Sequence, residues 1–183
     1  MKDYGPEEFI LSDGTEIILK SWDPHQSTEL SKAIIQFTHE TDHSLKNEDT
    51  YSVLEEIKTR WESTAVSPEG LFLSAFTKDK LIAFLTLRKP FQDRPWAKHV
   101  GEFNMLILDR YWSLGLGSKF IEILEKIATN HGIHRLEAKV RIKNQRAWNF
   151  YIRHNYQIEG KRKQAAFIDG HYEDEYFIAK ILH

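Results

Sequence analysis

Between His99 and Ile142 the chain reads as strand, glycine-bearing loop, amphipathic helix and strand, and this run constrains the fold more than any other. His99 to Leu108 reads as a strand. Gly115 to Asn130 predicts a helix, with Phe120, Ile121, Leu124, Ile127 and Ala128 on one face and Gly132 placed to end it. Leu136, Ala138, Val140 and Ile142 then alternate strictly with Glu137, Lys139, Arg141 and Lys143, the period of a strand with one face buried. Two strands joined through a helix should lie parallel, with a right-handed crossover.

The remaining segments place this unit in a larger sheet. Phe9 to Trp22 reads as a strand pair around the Asp13-Gly14 turn. Asp23-Pro24, with Gln26 at the capping-box position, opens a helix whose apolar face is Leu30, Ile34, Ile35 and Thr38. An acidic loop follows from His39 to Asp49. A second helix spans Thr50 to Trp61 with Val53, Leu54, Ile57 and Trp61 at helical spacing. Leu71–Thr77 and Leu81–Arg88 form a hairpin signal around Lys78-Asp79-Lys80, and Pro90 to Trp96 is a loop. Asn144 caps a short helix to His154, with Asn155 at a left-handed cap. Tyr156–Lys163 and Tyr172–Ile181 are final strands flanking the Asp169-Gly170 turn. The expectation is one mixed α/β domain over residues 1–183.

Composition narrows the function. The chain has 183 residues with 25 basic and 27 acidic side chains, a net charge of −2, so nothing marks it as an electrostatic binder of nucleic acid. The basic run Lys161-Arg162-Lys163 is the usual protection of a strand edge. There is no cysteine, which excludes disulfides, a thiolate nucleophile and Cys-ligated zinc. The longest apolar run, Leu81 to Leu85, is far short of the ~20 residues that span a bilayer. No apolar core follows Lys2, so no signal peptide is expected, and a cytoplasmic location is. The histidines show no tight ligand spacing, and no metal is assigned.

Chemistry concentrates in Leu108-Asp-Arg-Tyr-Trp-Ser-Leu-Gly115-Leu-Gly117-Ser118-Lys119. Glycines let the backbone approach a ligand, and the N–H groups of a helix start bind phosphate oxygens. Alone, Gly-Leu-Gly is equally a turn requirement. Phe120 stands where a dinucleotide fingerprint needs its third glycine, and no Gly-Lys-Ser/Thr ending makes a P-loop. The second piece is Asn144-Gln-Arg-Ala147-Trp148-Asn-Phe150-Tyr151-Ile-Arg-His-Asn155-Tyr156. Together, from about His99 to the C-terminus, the two pieces resemble the GCN5-related N-acetyltransferase (GNAT) family. The stretch Glu159-Gly160-Lys-Arg162-Lys with Asp169-Gly170-His-Tyr172-Glu-Asp174 is similar to the branch holding ribosomal-protein-alanine and spermidine acetyltransferases. One departure stands out: the family's phosphate loop usually starts with Gln or Arg, and here that residue is Trp112.

The resemblance implies a mostly antiparallel sheet with a central splayed parallel pair, flanking helices and acetyl-CoA as acetyl donor. It assigns donor binding to Met105, Leu106, Ile107 and Leu108, to Trp112, Leu114, Gly115, Leu116, Gly117, Ser118 and Lys119, and to Asn144 and Ala147. Lys119, Lys143 and Arg146 are candidate phosphate partners, although each taken singly is an ordinary solvated charge. The family's proton donor to the leaving thiolate matches Tyr151, whose ordinary pKa of about 10 keeps its proton at neutral pH. A lone tyrosine beside Ala147 on a helix face would be packing. Within this pattern the acid role takes precedence.

The acceptor implied is a primary amine: a protein N-terminus, a polyamine or another small amine. Glu102 is the first candidate for the base that takes the amine's proton, and a strand residue paired with its neighbour is the equal alternative. Tyr172 and Asp174 match the branch pattern for an acceptor pocket. Glu40, Asp42, Glu48 and Asp49 would steer a cation, although such a loop is more often simply solvated. Without cysteine, and with no Ser-His-Asp pattern, transfer should be direct. A non-catalytic acyl-CoA-binding or sensing module of the same fold is the alternative function. The chain is expected to act as a monomer or homodimer, away from membranes.

Overall fold

A computed structural model describes residues 4–22, 36, 59, 62–64, 67–78, 80–91, 93–168 and 170–183. The expected helices from Asp23 and from Thr50, and the acidic loop between them, lie outside the described residues except for helical Gln36, Thr59 and 62–64.

The described strands are β1 (Glu7–Ile10), β2 (Glu16–Ser21), β3 (Leu71–Thr77), β4 (Lys80–Arg88), β5 (Val100–Ile107), β6 (Arg135–Arg141), β7 (Gln157–Ile168) and β8 (His171–Ile181). They form one sheet in the order β1-β2-β3-β4-β5-β6-β8-β7. Helix α1 (Leu116–Asn130) links β5 to β6, and α2 (Gln145–Arg153) follows β6. Every contact is antiparallel except β5–β6, which is parallel as the crossover requires.

The core follows the apolar pattern. Leu71 to Phe76 of β3 and Leu81 to Leu85 of β4 are buried without alternation, so both faces of the sheet are covered there. Ser74 is the polar side chain within this layer, and its Oγ donates to the Lys20 carbonyl at 2.8 Å. That bond removes the cost of burying an unpaired hydroxyl. Helix α1 buries Leu116, Phe120, Ile121, Ile123, Leu124 and Ala128. Each larger side chain among them contributes about 1.5–3 kcal/mol of transfer free energy. Leu136, Ala138 and Val140 are the buried half of β6.

Turn chemistry sets the boundaries. Gly14 (φ 85) turns the first hairpin, with Asp13 Oδ1 accepting the Thr15 N–H at 3.0 Å. Asn155 adopts φ 65, the left-handed cap read from its position, and Tyr156 N–H returns to the Tyr151 carbonyl at 3.0 Å. Several boundaries differ from the sequence reading, and two of them show why. β6 ends at Arg141, because the chain turns there and the Asn144 N–H returns to the Arg141 carbonyl at 3.0 Å. β7 runs to Ile168 rather than Lys163. Its register shifts between Arg162 and Ala166, where Gln164 has φ 50 and donates its N–H to Asp174 Oδ1 at 2.8 Å. A side chain satisfies the bulged amide, and the strand resumes beyond it.

Candidate donor and acceptor site

The site starts where the sheet opens. β5 and β6 pair only at Val100↔Arg135, Gly101↔Leu136 and Glu102↔Glu137. Beyond these, β5 remains paired with β4 and β6 with β8, so the facing edges have no partner strand. The Leu108 N–H donates to the Ile82 carbonyl at 3.0 Å, on the β4 side. Strand alternation then puts the amide groups of Phe103, Met105 and Ile107 on the open side and those of Leu106 on the β4 side. Of the four residues Met105 to Leu108, therefore, Met105 and Ile107 offer backbone groups to a ligand in the gap. The Ile107 carbonyl is already occupied, because Trp112 Nε1–H donates to it at 2.6 Å.

The glycine loop closes one end of this gap. Gly115 caps α1 at φ 94 with no side-chain capping bond, and Ser113 also has positive φ, 59. The first N–H groups of α1, on Leu116, Gly117 and Ser118, precede the first intrahelical donor, Lys119, which bonds the Gly115 carbonyl at 3.1 Å. Such orphan N–H groups and the helix dipole suit an anion. Leu116 offers only its backbone, since its side chain is buried in the core. The Leu114 carbonyl accepts Ser12 N–H at 3.2 Å, tying the loop to the β1–β2 turn. Ser118 Oγ is hydrogen-bonded to His154 Nε2 at 3.1 Å, which joins the start of α1 to the end of α2. Burial holds the His154 imidazole below its ordinary pKa.

The three candidate phosphate cations separate cleanly. Lys119 Nζ lies 2.9 Å from Glu7 and 3.4 Å from Glu122, and Lys143 lies 2.7 Å from Glu173. Arg146 instead lies over the loop. Its Cζ is 4.3 Å from the Trp112 ring centroid, and Nη2 donates to Ser113 Oγ at 3.0 Å. This stack carries no signal in the sequence, because it depends on how α2 docks.

Helix α2 also carries Tyr151. Asn144 caps it, Oδ1 accepting the Ala147 N–H at 3.0 Å, so that amide is spent inside the protein. Tyr151 is 6% exposed, and its ring meets Phe103 edge-on at 5.7 Å. Phe103 directly follows the last residue of β5 that pairs with β6, so the phenol ring lies at the fork of the strands. Phe150 and Tyr156 pack on the same ring at 5.3 and 5.6 Å. Burial raises the Tyr151 pKa above its ordinary value and keeps the hydroxyl protonated.

Glu102 belongs to the last β5–β6 pair. Its carboxylate is bonded to Arg88 Nη2 at 3.0 Å and lies 3.6 Å from Lys139 Nζ. It is thus a partly exposed carboxylate between two cations, one on each neighbouring strand. Tyr172 and Asp174 lie on the β7–β8 hairpin. Tyr172 is 64% exposed, and its ring lies tilted against Phe167 at 4.9 Å. Asp174 pairs with Lys161 at 2.6 Å, and that ammonium with the Gln164 N–H holds its carboxyl below the usual carboxylate range. The hairpin therefore uses Asp174 for its own bulge. Between β6 and this hairpin, Arg141 Nη1 and Glu173 Oε2 are both buried, 3.8 Å apart and without hydrogen-bond partners, an arrangement the sequence gives no hint of. Among the described residues no group of three or more His, Asp or Glu side chains could hold a metal ion, and no helix is long and apolar enough to cross a membrane.

Comparison with known proteins gives the family. A model of the acetyltransferase (GNAT) family matches residues 33–156. The chain belongs to that family, and with it goes acetyl-CoA-dependent acyl transfer. It is similar to the L-amino acid N-acetyltransferase AaaT of Escherichia coli strain K12, 24% identical over 159 residues, covering 86% of this chain and 87% of that protein. It superposes on the crystal structure of a GNAT-family acetyltransferase from Streptococcus pneumoniae with a TM-score of 0.78 and 27% identity, covering 91% of this chain and 99% of that one. It also superposes on yncA, a putative acetyltransferase from Salmonella typhimurium solved with its cofactor acetyl-CoA, with a TM-score of 0.71 and 14% identity over 91% and 94% of the two chains.

Proposed function

We propose that the protein moves the acetyl group of acetyl-CoA directly onto a primary amine, with Tyr151 as proton donor to the thiolate and Glu102 as the base. The observation that carries this reading is the fork: β5 and β6 part after Glu102 and Glu137, and the ring of Tyr151 sits against Phe103, the next residue. The unpaired edges suit the amides of a long thiol carrier, and the orphan N–H groups of Leu116, Gly117 and Ser118 suit its diphosphate. When bound, acetyl-CoA supplies an acyl group already activated as a thioester.

The residues then divide the proton work. The incoming amine arrives as an ammonium and must shed a proton before it can attack. Glu102, held between Arg88 and Lys139, takes that proton, directly or through water. Tyr151 holds a proton ready at neutral pH and delivers it to the sulfur that leaves. Met105, with its amide on the open side, supplies a backbone donor for charge developing on the acyl oxygen. The acceptor is a protein N-terminus, a polyamine or another small amine, and likeness to an L-amino acid N-acetyltransferase supports testing amino acids first.

Thiol release from acetyl-CoA, measured across amino acids, peptides with free N-termini, polyamines and aminoglycosides, tests the proposal. One amine class should accelerate release well above the amine-free rate. Tight acetyl-CoA binding with no accelerated release for any amine would replace the enzyme by a sensing module.

A further inference from the structure

We propose that Arg146, carried by α2, supplies the cation for the donor's diphosphate that the glycine loop itself lacks, with Trp112 as the platform that aims it. The inference rests on the donor-binding reading above. The loop begins with Trp112 where a Gln or Arg is usual, so its own first side chain brings neither charge nor amide. That indole is fixed from below by its Nε1–H on the Ile107 carbonyl at 2.6 Å. Its face is covered by the guanidinium of Arg146 at 4.3 Å, and Arg146 Nη2 is held by Ser113 Oγ at 3.0 Å. A carbonyl, an indole, a hydroxyl and a guanidinium are thus joined in one chain of contacts that ends at the loop.

Electrostatics argues that this cation is waiting for an anion. Lys119 and Lys143 each have a carboxylate partner within 3 Å. Among the described residues, the contacts of the exposed Arg146 guanidinium are the Trp112 ring and Ser113, and neither carries negative charge. Arg146 also occupies the first turn of α2 and lies beside the loop that starts α1. Cations are disfavoured at helix N-termini, so two helix fields act against it until a negative group arrives. Arginine has five donors in a planar fork, and one is spent on Ser113, leaving the others for phosphate oxygens. Stacking on an aromatic face keeps that fork oriented, which a lysine at the same position would not match.

The test separates the phosphates from the rest of the donor. Calorimetry would measure acetyl-CoA and S-acetylpantetheine, which carries the thioester arm without the diphosphate, on the parent protein, Arg146→Ala, Arg146→Lys and the double variant Trp112→Arg/Arg146→Ala. Thermal melting would confirm that each is folded. Loss of a charge-assisted contact should weaken acetyl-CoA binding about 10- to 100-fold in Arg146→Ala. The dissociation constant for S-acetylpantetheine should match that of the parent. Arg146→Lys should recover only part of the loss, and the double variant, with its cation returned to the loop, most of it. Equal acetyl-CoA affinity in parent and Arg146→Ala would overturn the assignment, as would loss of both ligands alike or a double variant no better than Arg146→Ala. If the parent itself ignores acetyl-CoA, the donor-binding reading fails, and the role of Arg146 fails with it.

Discussion

A methyl group on Gly117 would stand 3.1 Å from Cζ of Phe150 and 3.6 Å from Cδ1 of Ile107. At this point the start of α1, the middle of α2 and the end of β5 meet, and a side chain fits only if the Phe150 ring gives way by a few tenths of an ångström. The second glycine of the loop is therefore a packing requirement first. The first, Gly115, has nothing within 4 Å of its virtual Cβ but adopts φ 94. One glycine is demanded by space and the other by backbone conformation.

This distinction predicts two different costs. Gly117→Ala should destabilise by about 1–3 kcal/mol through overpacking. Combining it with Phe150→Leu should recover part of that loss. Gly115→Ala should cost a similar ~1–2 kcal/mol through left-handed strain, with no recovery from Phe150→Leu. Urea unfolding midpoints of the single and double variants would check both. Recovery in the Gly115 pair would contradict the assignment.

Tyr151→Phe keeps the ring against Phe103, Phe150 and Tyr156 and removes only the hydroxyl. Turnover should fall about 100-fold, the scale of a lost general acid, with little change in acetyl-CoA affinity. Steady-state rates beside calorimetric donor affinity would show the split. Unchanged turnover removes the acid role.

Glu102→Gln leaves the strand in place and removes a carboxylate held by Arg88 and Lys139. Exposed pairs of this kind contribute no more than about 1 kcal/mol to stability, so melting should change little. The specificity constant for the acceptor should fall about 100-fold if this carboxylate takes the ammonium proton. An unaltered constant would return Glu102 to a purely cross-strand role.

His154 gives the fold an acid-sensitive joint. Its folded pKa is depressed by burial and by the Lys180 and Arg153 charges, against an opposing pull from Glu125. A histidine depressed in the folded state binds fewer protons there than in the unfolded chain. Its stabilisation is complete above the unfolded pKa near 6.5 and declines as pH falls below it. His154→Gln should therefore lose less melting temperature than the parent between pH 7.5 and 5.5. Identical losses would show that another group governs that limb.

Legibility in the sequence follows the range of the interaction. Local signals read true: the alternation of Leu136, Ala138 and Val140, the Asn144 cap and the left-handed Asn155 all depend on neighbours within a few residues. The parallel β5–β6 pair follows from the helical crossover between them and needs no long-range knowledge. What stayed hidden is tertiary. That Glu102 sits between Arg88 and Lys139 depends on which strands flank β5, and that Arg146 covers Trp112 depends on where α2 docks. The extension of β7 to Ile168 was illegible for the same reason, since the Gln164 amide is satisfied by a side chain from the opposite strand.

Three residue pairs are all that stitch β5 to β6, so the sheet amounts to two ladders sharing a short seam. A ligand lodged beyond that seam would bridge the two loose edges and act as a missing rung. Its occupancy would then be written into the cohesion of the whole molecule, adding about 2.7 kcal/mol at a hundredfold excess over the dissociation constant. For this protein, the temperature at which it comes apart becomes a gauge of how much acyl donor surrounds it.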